Sequence, residues 1–383
     1  MEKTKSNIYF PGLNGLRFFA ALAVIITHIE LLKGHCGIEN YWENIFIFNL
    51  GGLGVYFFFV LSGFLITYLL LSEKRSTQTI SIKKFYVRRI LRIWPLYYLI
   101  IFLGFFVFPH IPFLRIDWMA EHTAGHMGSS FLFNVLMLPN LAFALYGPVA
   151  YVGQAWSIGV EEQFYLIWPV LVKFSKNVLR TVTFVGVLIV VLKVFVLVLC
   201  HYYPDNEFLV THIKPFVAMS KIECMAIGAS GAYVLFHQWV RILRLVYHPI
   251  AQAIAYLSIP ALMYFTPDRI QDGIHLVFSV SFLVIILNVA TNKSSFLKLD
   301  HKLFDFLGQI SYGLYMYHMV IVVFIIRSFP FLGSAAPNSL VANLYYYGGS
   351  VLLTVFIAWL SHEYVEKWFL RKKDRFTEVL SKG

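Results

Sequence analysis

Long apolar runs are the feature that most constrains this chain. Stretches such as 45–71, 180–200 and 274–291 are each long enough to cross the hydrocarbon core of a bilayer as a helix. Charged residues make up only 13% of the sequence, which is about half their usual share in a soluble domain. Aromatic residues reach 18%, and Trp and Tyr gather at membrane interfaces. The sequence therefore predicts an all-α integral membrane protein.

Hydropathy predicts about ten transmembrane helices. Their approximate bounds are 14–32, 45–71, 87–108, 156–174, 180–200, 215–237, 247–265, 274–291, 307–328 and 344–365. One further apolar stretch, 131–146, is short and contains Pro139 and Asn140. We expect the segment 131–155 to be re-entrant or interfacial, because only then do the basic residues gather on one side of the membrane.

The basic residues predict the orientation. With the N-terminus in the cytoplasm, 23 Lys and Arg residues fall on the cytoplasmic side and five on the other side, as the positive-inside rule requires. The net charge of +11 is thus explained by topology, and no nucleic-acid partner is expected. We predict cytoplasmic N- and C-termini, one transmembrane domain over 1–370 and a short basic cytoplasmic tail over 371–383. The three cysteines form no CxxC pair, so no metal site is predicted.

Two ionisable residues interrupt the first apolar helix. Arg17 and His28 are eleven residues apart, so they lie on nearly the same helix face, about 16 Å apart along the axis. An arginine near a helix end can also simply extend its charge to the interface. An ionisable group inside the membrane indicates a functional site, and histidine is the side chain best suited to take up a proton at neutral pH.

A pair of arginines begins the third predicted helix. Arg89 and Arg92 are three residues apart and therefore neighbours on one face at its cytoplasmic end. Two guanidinium groups beside a membrane suit a ligand rich in phosphate. The positive-inside rule alone would also explain basic residues at this position.

Two adjacent carboxylates lie about one turn into the helix that starts near Trp156. Glu161 and Glu162 point about 100° apart, so at most one of them is expected to face a given site. Carboxylates inside a membrane are costly unless each has a partner or a function. The alternative is an interfacial pair that remains in contact with water.

A polar stripe runs along the ninth predicted helix. Ser311, Tyr315 and His318 follow spacings of four and three residues and so share one face. Aromatic helix faces usually serve packing, but a hydroxyl, a phenol and an imidazole together indicate a hydrogen-bonding site.

These motifs together resemble the acyltransferase-3 family of multi-pass membrane O-acyltransferases over nearly the whole chain. Arg17 and His28 match the arginine–ten residues–histidine motif of that family, and Arg89 and Arg92 match its RxxR motif. The family's Glu-containing signature is matched by "WSIGVEEQFYLIWP", and its SxxxYxxH motif by Ser311–His318.

The resemblance implies transfer of an acyl group, usually acetyl, from a cytoplasmic acyl-CoA such as acetyl-CoA to a hydroxyl of a cell-envelope glycan. It implies a multi-pass protein of the bacterial inner membrane, in contact with membrane lipids, with no permanently bound cofactor. The acceptor would be a cell-surface glycan or a lipid-linked saccharide.

The resemblance also implies a role for each motif residue. The CoA phosphates would be bound by Arg17, Arg89 and Arg92, and substrate would be bound by Ser311 and Tyr315. The catalytic groups would be His28, Glu161, Glu162 and His318, with His28 as a base or acyl carrier and one carboxylate orienting it.

Many family members carry an additional soluble esterase-like domain, and we expect none in this chain. Without such a domain, the chain would either complete the acyl transfer itself or pass the acyl group to a separate partner protein. A membrane transporter, and a non-catalytic partner in glycan export or assembly, are the alternative interpretations. The sequence leaves open the acceptor hydroxyl, the acyl chain, the carboxylate that faces the site and the oligomeric state.

Overall fold

The computed structural model describes residues 7–265, 273–332, 336–376 and 380–382, and nearly all of them are helical. Two short strands lie at the ends of the chain, β1 (Asn7–Tyr9) and β2 (Leu380–Lys382). The helices are α1 (Leu13–His35), α2 (Ile45–Thr77), α3 (Ile82–Phe102), α4 (Asp117–Thr123), α5 (Met127–Val135), α6 (Pro139–Tyr146), α7 (Trp156–Phe174), α8 (Val178–Tyr202), α9 (Lys214–Met219), α10 (Ile222–Phe236), α11 (Val240–Tyr247), α12 (Pro249–Phe265), α13 (Ile274–Thr291), α14 (Lys302–Gln309), α15 (Ser311–Ser328), α16 (Leu340–Ser361) and α17 (Lys367–Lys373).

Seven helical segments in the described part of the chain are long and apolar enough to cross a membrane. They are α1, α2, α3 with its continuation to His110, α8, α13, α15 with its continuation to Phe331, and α16 with its continuation to Lys373. The pair α11 and α12, bent by 60°, forms an eighth if it counts as one span. The prediction of an all-α membrane protein is confirmed at this level.

Two of the ten predicted spans differ from the others. Helix α7 carries three charged residues, Glu161, Glu162 and Lys173. The stretch 215–237 is divided by a break at Ser220 and Lys221 between α9 and α10. The number of ten crossings and the orientation of the termini therefore stay predictions.

The segment 131–155 contains two short helices rather than one long one. Helices α5 and α6 have nine and eight residues, or roughly 12–14 Å each, which is far less than the bilayer core requires. They are separated at Met137, which has a positive φ of 60°. Neither helix can span the membrane alone, and the place of this segment relative to the bilayer stays a prediction.

Helix α2 lies at the centre of the bundle, where it packs against α1, α7, α10 and α13. Its crossing with α10 is made close by two glycines. A Cβ added at Gly63 would overlap the backbone of Met225, and one added at Gly228 would overlap the backbone of Val60. Small residues of this kind let membrane helices approach backbone to backbone.

The two ends of the chain lie side by side. Strands β1 and β2 pair in parallel, with Asn7 opposite Leu380 and Tyr9 opposite Lys382. The expected boundary at residue 370 falls inside α17, which packs against α3. The carbonyl oxygen of Phe376 accepts a hydrogen bond of 2.9 Å from Arg88. Both ends are therefore held on the same side of the bundle, and which side of the membrane this is stays a prediction.

Candidate active site

Two histidines from distant parts of the sequence meet inside the bundle. His28 on α1 and His318 on α15 are joined by a hydrogen bond of 2.9 Å between Nδ1 of His28 and Nε2 of His318. Nδ1 of His318 lies 2.7 Å from the carbonyl oxygen of Tyr315. His318 is completely buried. The structure thus brings together two of the predicted site residues that are 290 positions apart.

The hydrogen bonds assign the tautomers of the two neutral rings. A carbonyl oxygen only accepts, so Nδ1 of His318 carries a proton and its Nε2 is an acceptor. Nδ1 of His28 must then donate to that acceptor. The remaining nitrogen, Nε2 of His28, keeps its lone pair and is the one available as a proton acceptor.

A cavity of about 150 Å³ opens between α1, α2, α3, α7 and α15. Six of the nine predicted site residues line it, namely Arg17, Arg89, Arg92, Glu161, Ser311 and Tyr315. Much of the remaining wall is apolar and comes from α2. His28, His318 and Glu162 are not among the residues that line the described cavity.

The three arginines give the cavity a positive wall. Arg17 donates a hydrogen bond of 2.9 Å to Oδ1 of Asn14. The guanidinium carbon of Arg89 lies 5.7 Å from the centre of the Phe85 ring and 5.8 Å from that of Tyr165, within the range of cation–π attraction. The buried Nε of Arg89 has no hydrogen-bond partner among the described residues. Three arginines and one carboxylate, Glu161, are the charged residues that line the described cavity, so its wall carries more positive than negative groups.

The two adjacent glutamates face different surroundings. Glu161 accepts hydrogen bonds from Ser62 at 2.6 Å and Tyr165 at 3.1 Å. Glu162 accepts one of 3.3 Å from Trp94, and its other oxygen is buried with no hydrogen-bond partner among the described residues. Glu161 is therefore the carboxylate that faces the cavity. Neither glutamate is bonded to His28 in the described part of the chain, where a ring nitrogen of His28 is bonded to His318. The orienting role of a carboxylate stays a prediction.

Tyr315 lies between the cavity and the histidine pair. Its hydroxyl lies 2.8 Å from the hydroxyl of Ser157 and donates a bond of 2.9 Å to the carbonyl oxygen of Gln154. His318 is one helical turn further along α15 and is bonded to the backbone of Tyr315 itself. The polar stripe predicted on α15 thus begins in the cavity at Ser311 and ends at the histidine pair.

Five polar residues of the cavity were not predicted from the sequence, namely Asn14, Ser62, Ser157, Tyr165 and Tyr312. Weak signals for them exist. Ser62 interrupts the apolar run "FVLSGFLI", and Tyr165 follows Glu161 by one helical turn.

A second group of buried charges lies outside the cavity. One oxygen of Glu223 on α10 is bonded to Lys193 of α8, and it lies 2.7 Å from Nε2 of His275 of α13. Glu223, Cys224 and His275 offer potential metal ligands within 4.8 Å of one another. Both nitrogens of His275 are already engaged, since Nδ1 accepts a hydrogen bond of 3.3 Å from the amide of Gly273. We interpret this group as a buried ion pair that joins three helices.

Comparison with known proteins identifies the family of the chain. The model of an acyltransferase domain, Acyl_transf_3, matches residues 10–363. The chain belongs to the acyltransferase-3 family. O-acetyltransferase OatA of Staphylococcus aureus (strain NCTC 8325 / PS 47) is 27% identical over 96% of this acyltransferase-3 chain and 58% of its own length. The putative peptidoglycan O-acetyltransferase YrhL of Bacillus subtilis (strain 168) is 28% identical over 96% of the chain and 56% of its own length.

Peptidoglycan O-acetyltransferase OatA of Listeria monocytogenes is likewise 28% identical, over 94% of this acyltransferase-3 chain and 56% of its own length. The chain thus spans somewhat more than half the length of these curated relatives. No solved structure matches it.

Proposed function

We propose that this acyltransferase-3 protein transfers an acyl group, acetyl in the first place, from acyl-CoA to a hydroxyl of a cell-envelope glycan. One observation carries the proposal. The arginine-lined cavity extends to Tyr315, and the histidine pair lies one turn beyond it. Arg17 and His28 lie on one continuous helix, about 16 Å apart along its axis.

The distance between the arginines and His28 suits the shape of an acyl-CoA donor. An acyl-CoA is a long, flexible molecule with phosphates towards one end and a thioester at the other. Arg17, Arg89 and Arg92 bind the phosphates with charge-assisted hydrogen bonds. The apolar wall from α2 accommodates the uncharged arm, which places the thioester towards Tyr315. Glu161 is held by Ser62 and Tyr165, and it balances part of the positive charge before the donor arrives.

His28 is the base of the transfer step. Its Nε2 takes the proton of the acceptor hydroxyl as the hydroxyl oxygen attacks the thioester carbonyl carbon. The carbon–sulfur bond breaks, and the departing thiolate receives that proton from His28, which leaves free CoA and the acyl ester. Throughout, Nδ1 of His28 stays bonded to His318, which fixes the orientation of the reacting ring.

The acceptor is proposed to be a cell-wall glycan, peptidoglycan in the first place. Two of the relatives are named as acting on peptidoglycan, which is the support for this choice. Such an acceptor approaches from outside the cell, whereas acyl-CoA is made in the cytoplasm. The bacterial inner membrane is therefore the proposed location, and a separate protein that carries the acyl group onward is compatible with it.

The proposal predicts different kinetic defects for substitution of the base, His28, and of a phosphate-binding arginine, Arg89. In nanodiscs that contain the full chain, His28→Ala should lower kcat for glycan acetylation by roughly 10²-fold or more while the KM for acetyl-CoA stays within twofold. Arg89→Ala should raise the KM for acetyl-CoA by about tenfold or more, because it removes charged hydrogen bonds. Turnover is measured from release of free CoA and from ester-linked acetate on the glycan.

Two variants serve as matched controls. Lys83→Ala removes an exposed cation near Arg89, and His201→Ala removes an exposed histidine at the end of α8. Both should retain wild-type constants. An equal rise in KM for Lys83→Ala and Arg89→Ala would contradict a specific role of Arg89 in donor binding. Arg89 would then be explained by the positive-inside rule alone. Full acetylation by His28→Ala would contradict the assigned base and favour a transporter or a non-catalytic partner.

A further inference from the structure

Helix α14 packs directly on the first turn of α1, beside the cavity. A Cβ added at Gly308 would overlap the backbone of Asn14, so the two helices touch backbone to backbone at this point. Asn14 lines the cavity, and only 4% of its surface is exposed. The position of Asn14 is thus set by a helix that contributes no arginine to the site.

Asn14 connects an acidic residue of α14 to an arginine of the cavity. Its Nδ2 donates a hydrogen bond of 2.7 Å to Oδ1 of Asp305, and its Oδ1 accepts one of 2.9 Å from Arg17. A carboxylate only accepts and a guanidinium only donates, so the amide can satisfy both partners in one orientation only. The three side chains form a directed chain from Asp305 to Arg17.

The amide in the middle keeps the arginine charge available. A carboxylate in direct contact with Arg17 would hold the guanidinium but also neutralise it. An asparagine holds it with a neutral oxygen, while the full negative charge stays one residue further away. The carboxylate of Asp305 polarises the Asn14 amide, which strengthens its hold on Arg17.

We propose that Asp305 is a positioning residue that acts through Asn14 to hold Arg17 in the cavity for the anionic part of the donor. This rests on the proposed function for the identity of the donor. It assigns a role to a residue outside the four motifs, 288 positions after Arg17 in the sequence.

Asp300 provides a matched control. It is exposed, whereas Asp305 is half-buried. Both carboxylates act on Tyr9 of β1: burial, followed by the charges of Asp305 and Asp300, raises the pKa of its hydroxyl. Removing either carboxylate therefore costs an interaction with Tyr9, but only Asp305 is bonded to Asn14.

The kinetic experiment uses the full chain in nanodiscs with acetyl-CoA as donor. Asp305→Ala should raise the KM for acetyl-CoA by about tenfold with kcat within twofold, as expected for loosening one charged hydrogen-bond partner. Asp300→Ala should leave both constants unchanged. An unchanged KM in Asp305→Ala would overturn the proposal.

An exchange of the two side chains separates positioning from simple packing. In Asn14→Asp two carboxylates face each other, and this variant should lose thermal stability. The double variant Asn14→Asp with Asp305→Asn restores the hydrogen bond with its polarity reversed, so Tm should return to within a few degrees of wild type. The KM should stay about tenfold raised, because Arg17 is now neutralised by a carboxylate. Recovery of KM together with Tm would show a purely structural role.

A second measurement does not depend on the donor. Phenylglyoxal modifies free guanidinium groups, and mass spectrometry of the peptide that contains Arg17 gives its rate of modification. We expect a rate at least threefold higher in Asp305→Ala than in wild type or Asp300→Ala. Equal rates would overturn the positioning role. If the wild type does not turn over acetyl-CoA at all, the proposed function fails while this measurement still decides the role of Asp305.

Discussion

At the scale of single residues, the central feature is a histidine that is oriented by another histidine. Hydrolytic triads use a carboxylate for this purpose, because it also stabilises the imidazolium that forms. His318 is buried, and its Nδ1 donates a hydrogen bond to the backbone carbonyl oxygen of Tyr315. It supplies orientation without bringing a negative charge into the bundle, where an unpaired carboxylate would be costly.

Substitutions at His318 test this arrangement. His318→Gln keeps an oxygen that can accept the hydrogen bond from Nδ1 of His28, whereas His318→Leu fills the space without an acceptor. We expect His318→Gln to keep a measurable fraction of kcat, on the order of a tenth, and His318→Leu to lose roughly 10²-fold. Initial rates with acetyl-CoA and glycan at matched protein levels provide the measurement. Equal loss in both variants would contradict the assigned tautomers.

The sequence predicted some of these residues and could not predict others. Helical periodicity places Ser311, Tyr315 and His318 on one face, and the structure agrees. The choice between Glu161 and Glu162 could not be made, because the rotation of α7 depends on partners such as Ser62 and Trp94 that lie on other helices.

At the scale of helices, α2 organises the bundle through close contact with α10. Gly63 and Gly228 face each other's helix with no room for a side chain. In lipid there is no hydrophobic drive to bring helices together, so this close packing is itself a main source of stability. The same helix supplies Ser62 and much of the apolar wall of the cavity.

Alanine substitutions within α2 separate packing from helix propensity. Gly63→Ala should lower Tm by several degrees and reduce activity, since overpacking a close contact costs about 1–3 kcal/mol or more. Gly52 lies on the same helix, and an added Cβ there meets nothing within 4 Å. Gly52→Ala should therefore leave Tm unchanged or raise it slightly. Thermal unfolding in detergent, followed by a thiol-reactive dye, would show the difference, and equal Tm values would contradict the packing.

At the scale of the whole molecule, the number of bilayer crossings depends on the segment 131–155. Labelling of single cysteines in intact cells can decide it, in a background without Cys36, Cys200 and Cys224. If the segment 131–155 does not cross, a membrane-impermeant maleimide should label Glu121→Cys but neither Lys83→Cys nor Lys176→Cys. All three should react after permeabilisation. Equal labelling of Glu121→Cys and Lys176→Cys in intact cells would mean that the segment crosses.

The sequence predicted the class of the molecule better than its long-range contacts. Apolar runs of sufficient length establish membrane helices whatever their partners are. The chain from Asp305 through Asn14 to Arg17 was not predictable, because these residues belong to opposite ends of the sequence and to helices whose packing no periodicity reveals. The break that divides 215–237 falls at the polar residues Ser220 and Lys221, and it was missed because the mean hydropathy of the whole stretch is still high enough for one helix.

The layer formed by Tyr315, Ser157 and Gln154 has an electrical consequence. In the proposed topology the arginine-lined cavity opens to the cytoplasm and admits water, so the membrane potential falls mainly across the hydrogen-bonded residues beyond it. Each elementary charge that crosses such a potential exchanges about 2.3 kcal/mol per 100 mV. In the proposed reaction the phosphates stay among the arginines, and the acyl group that passes Tyr315 is exchanged for the proton that His28 returns to the thiolate, so no net charge crosses. Acylation would thus proceed at the same rate in energised and de-energised membranes, and the protein would spend none of the cell's ion gradient.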